Sequence, residues 1–417
     1  MAIKKIKISN FKSFKNLEIE LGKFNILIGS NASGKSNFLQ IFKFLKDINN
    51  SGPDNALQMQ GGAEYLRNVK IGSSQNFSVE IVFDMSGMRA IEEEEEKIIG
   101  IKTFQAIYSF SVKFKKKGLG FLIEKDKLTQ SIKFVRLERR RRAIKEKEKI
   151  GNGKIVYSKL NGKLNFDLTL PKGLKIKKDN IFPSFLQREK FPANVTLIEM
   201  PFIVLPHVKK IFDGISIYAF DPKLPQKASP VTGKSELEED GSNLSIVLKN
   251  IVESRDEKRK FFNLMKEMLP FVDALNVEKF ADKSLLFSLK ETYSKKHYIP
   301  ASLISDGTIN IAGIIIALYF ESKPLTIIEE PERNIHPYLI PKVINMMKDA
   351  SKNKQIIITT HNPEIVKYAD LNDILLVSRD KEGFSTISRP ADKKEIKTFL
   401  KNEIGMDELF TQNLLEI

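Results

Sequence analysis

The sequence contains no cysteine and only four histidines in 417 residues. The absence of cysteine excludes disulfides, thiolate zinc sites and a cysteine nucleophile, and so few histidines leave little room for a histidine-rich metal centre. No run of about 18 uninterrupted apolar residues is present, and the chain begins with lysine-rich text rather than a signal peptide. We therefore expect a cytoplasmic protein that makes no use of a membrane.

The amino-terminal region carries a phosphate-binding pattern. The apolar run at 24–28 reads as a short strand and passes directly into GSNASGKS, residues 29–36, whose spacing is G-x-x-x-x-G-K-[ST]. Glycines allow backbone turns that direct amide N–H groups at a phosphate, while Lys35 supplies a positive charge and Ser36 a hydroxyl for Mg²⁺. The pattern predicts a P-loop that binds nucleotide phosphates through Gly29, Ser30, Asn31, Ala32, Ser33, Gly34, Lys35, Ser36 and Asn37.

A helix is expected directly after this loop, from about residue 34 to residue 47. Phe38, Ile41, Phe42 and Leu45 recur at helical spacing on one face. The amino terminus of a helix carries a partial positive charge, so this helix would direct that charge at bound phosphates.

Residues 327–337, IIEEPERNIHP, place two adjacent acids at the end of an apolar strand, where a proline stops it. Glu329 and Glu330 repel one another and are costly to desolvate, and Mg²⁺ is the usual group that offsets such a cost. Taken alone, such a segment is more often a strand-to-helix turn whose acids are solvated. In a nucleotide hydrolase, one acid would face a metal and the other a water molecule.

Two weaker patterns accompany these segments. Residues 303–320, LISDGTINIAGIIIALYF, open a long apolar helix with a Ser-Asp-Gly-Thr turn, for which an ordinary N-cap and core helix is the alternative. Residues 355–363, QIIITTHNP, deliver His361 at the end of an apolar strand, where a lone histidine is more often structural. Their order relative to the P-loop and the paired acids favours one shared site.

Together these segments resemble the P-loop ATPases of ATP-binding-cassette (ABC) type, and within them the soluble RecF/SMC/OLD-like branch. The matching text is the opening MAIKKIKISNFKSFKNLEIELGKFNILIGSNASGKSN, the signature-like LISDGT, the Walker B-like IIEEPERNIHP and the switch-like TTHNP. It covers roughly the first 80 residues and the chain from about Tyr218 onward. The resemblance implies an α/β P-loop ABC-ATPase fold with an antiparallel β subdomain and an inserted basic β-rich lobe.

The same resemblance implies roles for individual residues. Glu329 would occupy the Walker B position that holds Mg²⁺, where many cassette proteins have aspartate, and Glu330 would be the general base for the attacking water. His361 would contact the γ-phosphate. Ser305 and Gly307 would contact the γ-phosphate of an ATP held by a second subunit, which implies a head-to-tail homodimer with ATP and Mg²⁺ as cofactors.

The glutamine that senses the metal is not fixed by these patterns. Gln60 is the first candidate and Gln58 the alternative, since both follow the P-loop helix. We take Gln60 as a third metal-side residue. Phe11 and Phe14 resemble the adenine-side turn of the family, and a packing role suits them equally well.

The positive charge is concentrated in one segment. The chain has a net charge of +16, and residues 101–190 alone hold 25 basic against 8 acidic residues. We expect an amino-terminal ATPase half at 1–90, a basic β-rich insertion at 91–200 and a carboxy-terminal ATPase half at 201–417. Such a cluster would attract phosphate backbones, whereas a solvated lysine-rich face, or one that meets an acidic partner protein, is the alternative. The residues expected to contact nucleic acid are Lys115, Lys116, Lys117, Arg139, Arg140, Arg141 and Arg142.

Within this segment the sequence alternates as strands do. Asn161 and Gly162 predict a hairpin turn, and the run KEKEK at 145–149 indicates a basic arm, for which a helix stays open. Aromatic residues at alternate strand positions are expected in a core rather than stacked on bases. These residues are Phe110, Phe114, Tyr157 and Phe166.

We expect an ATPase whose ATP-sandwiched dimer engages nucleic acid or gates a partner effector, such as a nuclease, in genome maintenance or anti-phage defence. The 56 residues after His361 are too few for a Toprim nuclease, so a nuclease would be a separate chain. No long heptad array separates the two ATPase halves, which argues against an SMC-type coiled-coil arm. The alternative is an interaction scaffold in which ATP holds the dimer together with little or no turnover.

Overall fold

The computed structural model describes residues 2–92, 98–115, 120–140, 143–160, 162–176, 188–200, 206–279, 283–294, 296–394, 396 and 405–412. The strands in chain order are β1 (Ala2–Phe11), β2 (Phe14–Glu20), β3 (Phe24–Ile28), β4 (Phe77–Glu92), β5 (Ile98–Phe114), β6 (Phe121–Arg140), β7 (Ala143–Leu160), β8 (Lys163–Thr169), β9 (Ile215–Tyr218), β10 (Ser229–Pro230), β11 (Val272–Lys279), β12 (Ser284–Glu291), β13 (Ile299–Pro300), β14 (Leu325–Glu329), β15 (Gln355–Thr360), β16 (Ile374–Arg379) and β17 (Ser385–Ser388). The helices are α1 (Lys35–Met59), α2 (Ala63–Leu66), α3 (Pro206–Asp213), α4 (Leu244–Glu253), α5 (Arg255–Met268), α6 (Asp306–Tyr319), α7 (Ile340–Ala350), α8 (Pro363–Lys367) and α9 (Met406–Thr411). The predicted α/β class is confirmed.

The chain divides into two compact units. The first unit comprises Met1–Gly22, Ser36–Asp213 and Arg379–Ile387, and the second unit comprises Lys23–Lys35, Gly214–Ser378 and Ser388–Ile417. The division falls between Lys35 and Ser36, so each unit contains part of the predicted phosphate-binding segment.

The first unit is built on an antiparallel sheet with the strand order β2-β1-β4-β5-β6-β7-β8. β4 pairs with β1 on one side and with β5 on the other, so the strands of the basic segment continue the sheet that starts at the amino terminus. In β8 alternate residues are buried, as the period of two in a strand requires. The predicted antiparallel β subdomain is confirmed.

The run KEKEK lies in β7, so the helical alternative for this arm is wrong. Its two acids meet cations of β5 and β6: Glu146 forms an ion pair with Lys102, and Glu148 lies 2.8 Å from Arg136. An alternation of Lys and Glu has a period of two, which suits a strand whose acids face cations of neighbouring strands better than a helix with a period of 3.6.

The hairpin predicted at Asn161 and Gly162 is present between β7 and β8. Leu160 pairs with Lys163 across it, and Gly162 adopts the positive φ of 76° that such turns require; Asn161 lies outside the described residues. The aromatic side chains predicted for the core are buried, which confirms that interpretation. They are Phe110, Phe114, Tyr157 and Phe166.

A buried acid in the first unit anchors the segment that follows β8. Asp126 of β6 accepts a hydrogen bond from the backbone N–H of Leu197 at 2.5 Å, and Lys159 of β7 donates to the carbonyl oxygens of Pro192, at 3.0 Å, and Val195. Burial raises the pKa of Asp126 to about 7. The two charged side chains provide partners for backbone groups that would otherwise be buried without hydrogen bonds.

Helix α1 continues to Met59, well beyond the predicted end near residue 47. Gly52, with φ 80° and ψ 165°, and Pro53 interrupt its helical geometry, so two helical pieces join at a kink. The residues after Asp47 include Asn, Ser, Gly and Pro, which predict an end in sequence, whereas the chain resumes the helix after one irregular residue.

The second unit contains a parallel sheet with the order β16-β3-β15-β14-β9. β3 and β15 are buried at every position, as strands covered on both faces are. Parallel strands bring their carboxyl ends to one edge, and β3, β14 and β15 all end at predicted site segments. A smaller antiparallel sheet, β10-β12-β11 with β13 paired to β12, belongs to the same unit.

Helix α6 begins where the Ser-Asp-Gly-Thr turn predicts. Ser305 is its N-cap and accepts a hydrogen bond from the backbone N–H of Thr308. Every residue of α6 from Thr308 to Leu318 is buried in the second unit, which accounts for the long apolar run. Among the described residues, no helix is both long enough and apolar enough to cross a membrane.

Candidate active site

The P-loop follows β3 and packs tightly against the end of β16. A Cβ atom at Gly29 would lie 2.3 Å from the carbonyl oxygen of Val377 and 2.7 Å from the hydroxyl of Ser33, so only glycine fits there. Ala32 and Gly34 have positive φ values of 62° and 122°. Successive residues of unlike handedness turn their N–H groups into one concave loop, which is the backbone arrangement that binds phosphate.

Lys35 closes this loop. Its ammonium donates hydrogen bonds to the carbonyl oxygens of Gly29, at 2.8 Å, and Ser30, at 3.0 Å. Burial lowers the pKa of Lys35, and the negative charges of Glu330 and Glu332 oppose that shift. The lysine therefore lies in the electrostatic field of the acids that follow β14.

Ser36 and Asn37 open α1 in the first unit, directly after Lys35. The side chain of Asn37 donates to the hydroxyl of Ser13 at 2.9 Å, in the turn between β1 and β2. Phe11 and Phe14 on either side of that turn are fully buried, and Phe11 packs on Phe77 with ring centroids 5.5 Å apart. The structure therefore favours packing for both phenylalanines, because a fully buried ring has no face for adenine.

The paired acids lie at the carboxyl end of β14. Glu329 is the last residue of the strand, and Glu330 leaves it with a positive φ of 44°. Its N–H donates to the carbonyl oxygen of Thr359 at 2.9 Å, and its carbonyl oxygen accepts from Arg333 at 3.0 Å. A left-handed residue other than glycine costs about 1–2 kcal/mol, and such strain is concentrated at functional sites.

His361 meets Glu330 across two neighbouring strands. Nδ1 of His361 lies 2.8 Å from Oε1 of Glu330, and the two side chains are 51% and 39% exposed. The contact follows from the pairing of β14 and β15, in which Glu329 lies opposite Thr359. The two residues predicted as catalytic are thus brought together, and both are open to solvent.

The sequence patterns assign no role to a third acid, Glu332. It is 7% exposed, accepts a hydrogen bond at Oε1 from the hydroxyl of Thr360, and has no hydrogen-bond partner at Oε2 within the described part of the chain. Burial raises its pKa, and the charge of Glu330 acts in the same direction. The sequence did point to Glu332, because it is the second glutamate of the Glu-Pro-Glu motif at residues 330–332, directly after Glu329.

The signature-like turn packs against the loop that carries these acids. A Cβ atom at Gly307 would lie 2.4 Å from the carbonyl oxygen of Asn334, and Asn310 of α6 donates to the carbonyl oxygen of Arg333 at 2.6 Å. Ser305 is exposed, and its hydroxyl lies 2.8 Å from that of Thr308. The predicted signature residues therefore adjoin the loop of Glu330 within the second unit.

Gln60 is buried in the first unit. Its amide donates to the side chain of Gln40 in α1 at 3.2 Å, whereas Gln58 is exposed. The assignment of Gln60 to a metal stays a prediction.

The residues predicted to contact nucleic acid lie largely outside the described structure. Lys115 is exposed directly after β5, and its N–H donates to the carbonyl oxygen of Gly120 at 2.8 Å. Arg139 and Arg140 end β6, and their side chains are not described. The remaining four, Lys116, Lys117, Arg141 and Arg142, lie outside the described residues.

The donors at this site fit Mg²⁺ bound together with a nucleotide. In the described ranges, no group of three or more acids or histidines could hold a metal ion alone. Mg²⁺ at phosphate-transfer sites takes one or two protein ligands, with phosphates and water as the others. The predicted ligands, the hydroxyl of Ser36 and the carboxylate of Glu329, are of the chemical type that Mg²⁺ prefers, and their assignment to the metal stays a prediction.

A family model matches residues 24–367, from the first residue of β3 to the last residue of α8. Its description is "AAA domain, putative AbiEii toxin, Type IV TA system". The chain belongs to this AAA-domain family. The matched range contains the P-loop, the signature-like turn, the paired acids and His361, so the protein is a P-loop ATPase of this AAA-domain family.

One curated relative of this AAA-domain protein is "Uncharacterized protein MJECL43" of Methanocaldococcus jannaschii, which is 30% identical over 91 residues. The match covers 21% of this chain and 24% of the relative, so it spans about a quarter of that protein.

Several solved structures resemble the AAA-domain chain. A crystal structure of an SMC head bound to the C-terminal winged-helix domain of ScpA is 16% identical and covers 93% of this chain and 98% of its own, with a TM-score of 0.49. The SMC head domain from Thermotoga maritima is 16% identical, with 93% and 99% covered and a TM-score of 0.42. An SMC head with an extended coiled coil, bound to a ScpA domain derived from Pyrococcus furiosus, is 14% identical, with 96% and 99% covered and a TM-score of 0.48.

Proposed function

We propose that this AAA-domain protein binds ATP with Mg²⁺ at the P-loop and hydrolyses it to ADP and phosphate. The observation that carries the proposal is the 2.8 Å contact between Glu330 and His361, whose side chains are both open to solvent. The charge of Glu330 also raises the pKa of Lys35 against the effect of burial. A solvated surface acid would have no reason to adopt a left-handed backbone and meet a histidine from the next strand. The alternative, a scaffold with little or no turnover, would use the P-loop without this base.

The roles of the residues follow from their chemistry. The loop amides and Lys35 would bind the β- and γ-phosphates, and Ser36 with Glu329 would hold Mg²⁺, which neutralises developing negative charge when bound. Glu330 would accept the proton of the attacking water at Oε1 or Oε2. His361 would contact the γ-phosphate, and its bond to Glu330 would keep both side chains directed at the same oxygen atoms.

Phosphate release from ATP tests this proposal directly. We expect the purified chain to release phosphate from ATP in the presence of Mg²⁺ and to lose about 100-fold or more of that rate when EDTA removes the metal, because Mg²⁺ stabilises the transferring phosphoryl group by several kcal/mol. A rate that is independent of Mg²⁺, or no release with or without nucleic acid, would contradict hydrolysis and favour the scaffold.

The proposed active form is a head-to-tail homodimer with ATP between the subunits. Ser305 is exposed at the start of α6, and Leu303 beside it is 75% exposed, as expected for residues that a second copy covers. Tyr338, after the loop of Glu330, is 74% exposed.

We propose that ATP hydrolysis controls a separate effector, such as a nuclease, in genome maintenance or anti-phage defence.

A basic face on the large sheet supports a proposed contact with nucleic acid. Lys125, Lys127 and Lys133 lie at alternate positions of β6, and Lys154 of β7 pairs with Ser131 on the same face. These lysines are exposed, and none forms an ion pair with a carboxylate of the described residues. Phosphate backbones bind to such faces with an affinity that falls as salt rises.

Replacing the unpaired lysines of this face tests the contact. For Lys125→Gln, Lys127→Gln and Lys154→Gln together, we expect the slope of log K against log salt for duplex DNA or RNA to fall by about 0.9 for each phosphate that the protein no longer neutralises. The control is Lys4→Gln with Lys15→Gln, since both lysines already pair with acids. An equal decrease in the two variants, measured by fluorescence anisotropy, would exclude this face as the binding surface.

A further inference from the structure

The end of β15 is fixed by a small hydrogen-bond network around Thr360. The hydroxyl of Thr360 donates to Oε1 of Glu332 and accepts from the backbone N–H of Asn362 at 2.9 Å. The side chain of Asn362 in turn accepts from the N–H of Glu364 at 2.9 Å and caps α8. His361 stands between Thr360 and Asn362, so both of its neighbours in the chain are held.

A glutamate at position 332 is unfavourable for the stability of the fold. Thr360 is fully buried and Glu332 is 7% exposed, and a buried carboxylate with one oxygen lacking a partner destabilises a fold relative to an apolar residue of similar size. The charges that act on Glu332 are those of Glu330 and His361, and Lys35 responds to the charge of Glu332. Because Glu332 destabilises the fold and its charge interacts with residues of the candidate site, we infer that it has a role in that site.

Without this network, little would hold the imidazole. His361 is half exposed, and its side chain bonds to Glu330, which is itself on a strained turn. Glu332 follows Glu330 by two residues, while Thr360 precedes His361 by one. The hydrogen bond between Thr360 and Glu332 therefore joins the loop of the base to the loop of the histidine at a buried point.

We propose that Glu332 and Thr360 are positioning residues that hold His361 against Glu330, a role that rests on the proposed ATP hydrolysis. Neither side chain is placed on the nucleotide. Glu332 acts as the acceptor for the Thr360 hydroxyl, and Thr360 transmits that restraint to the backbone on both sides of His361.

Turnover measurements separate this role from a general loss of stability. We expect Thr360→Val to lower kcat by about 10- to 30-fold with KM changed less than about threefold, because the transition-state geometry and not nucleotide binding is affected. Thr360→Ser keeps the hydroxyl and should restore kcat to within about threefold of the original. Glu332→Gln keeps an oxygen acceptor and should likewise retain activity, and it serves as a second variant if Thr360→Val does not fold. Equal losses in Thr360→Val and Thr360→Ser, or a full loss in Glu332→Gln, would overturn the proposal.

A double-variant cycle identifies His361 as the group through which Thr360 acts. In a His361→Ala background, we expect Thr360→Val to lower kcat by no further measurable factor, because the side chain that it positions is gone. Independent, multiplicative losses would show that Thr360 acts through something other than His361.

Nuclear magnetic resonance provides a measurement that does not depend on turnover. The chain has four histidines, so ¹⁵N-histidine labelling of the full-length protein gives few side-chain signals, and His361→Ala assigns one set. We expect Thr360→Val to shift or broaden the His361 signals and to leave those of His336 unchanged. Unchanged His361 signals would reject the positioning role, whereas altered signals in a protein that hydrolyses no ATP would reject hydrolysis and keep the positioning.

Discussion

Glu330→Gln should lower kcat for ATP hydrolysis by about 10²- to 10³-fold while the Kd for ATP changes by less than about threefold, since a general base contributes on the order of 10²–10⁴ to the rate. The amide has the shape of the carboxylate and can still bond to Nδ1 of His361, but it cannot accept the proton of water. Because Gln tolerates the left-handed conformation about as well as Glu, the fold should be unaffected.

The same variant tests the dimer. If two copies enclose ATP and hydrolysis separates them, Glu330→Gln with ATP and Mg²⁺ should accumulate a stable dimer in sedimentation or light-scattering measurements, and the original chain should not. Glu364→Gln is a matched control, because Glu364 is an acid in the first turn of α8 that bonds through its backbone to Asn362. Turnover of Glu330→Gln within about threefold of the original would remove Glu330 as the base and favour the scaffold.

Lys35→Met should raise the Kd for ATP by about 10- to 150-fold. Lysine to phosphate is a charge-assisted hydrogen bond worth about 1.5–3 kcal/mol, and the partial burial of Lys35 reduces the competing screening by water. Methionine has a similar length and no charge, so the loop loses its ammonium without a large change in volume. Binding of a fluorescent ATP analogue measures the change.

A second lysine controls for the loss of charge as such. Lys249→Met removes a surface lysine of α4 that pairs with Glu253 at 3.8 Å, an exposed i,i+4 pair of little energetic weight. We expect the Kd for ATP to be unchanged in this variant. If both variants bind ATP as the original chain does, the P-loop is not the nucleotide site, and the roles proposed for Lys35 and Ser36 are wrong.

Local patterns predicted much of the candidate site. The spacing of residues 29–36 after an apolar strand, the acids at the end of β14 and the histidine after β15 all lie at the ends of parallel strands, as expected. The sequence likewise predicted the N-cap at Ser305 and the burial of Phe110 and Tyr157 in the core. These features depend on a few consecutive residues and on periods of 2 or 3.6, which the sequence displays directly.

Other features depended on partners far along the chain. The KEKEK run is a strand because β6 and β5 supply cations to its acids, and α1 passes its kink at Gly52 although the local text predicts an end. Asp126 finds its donor at Leu197, 71 residues away. These interacting residues are too far apart in sequence to be recognised in a short segment. Local propensity therefore left a helix open for the KEKEK run and ended helix α1 too early.

Local sequence patterns were sufficient to predict a P-loop ATPase and the strand ends that carry its phosphate loop, acids and histidine. The folded chain was needed to show that Glu330 meets His361 at 2.8 Å, that Glu332 is buried against Thr360, and that Gly307 packs on Asn334. The first two contacts follow from strand register, because the pairing of β14 with β15 sets which side chains at the two strand ends touch, and a shift of one residue would turn each of them to the opposite face. The third depends on how α6 packs against the loop after β14, which no local pattern encodes.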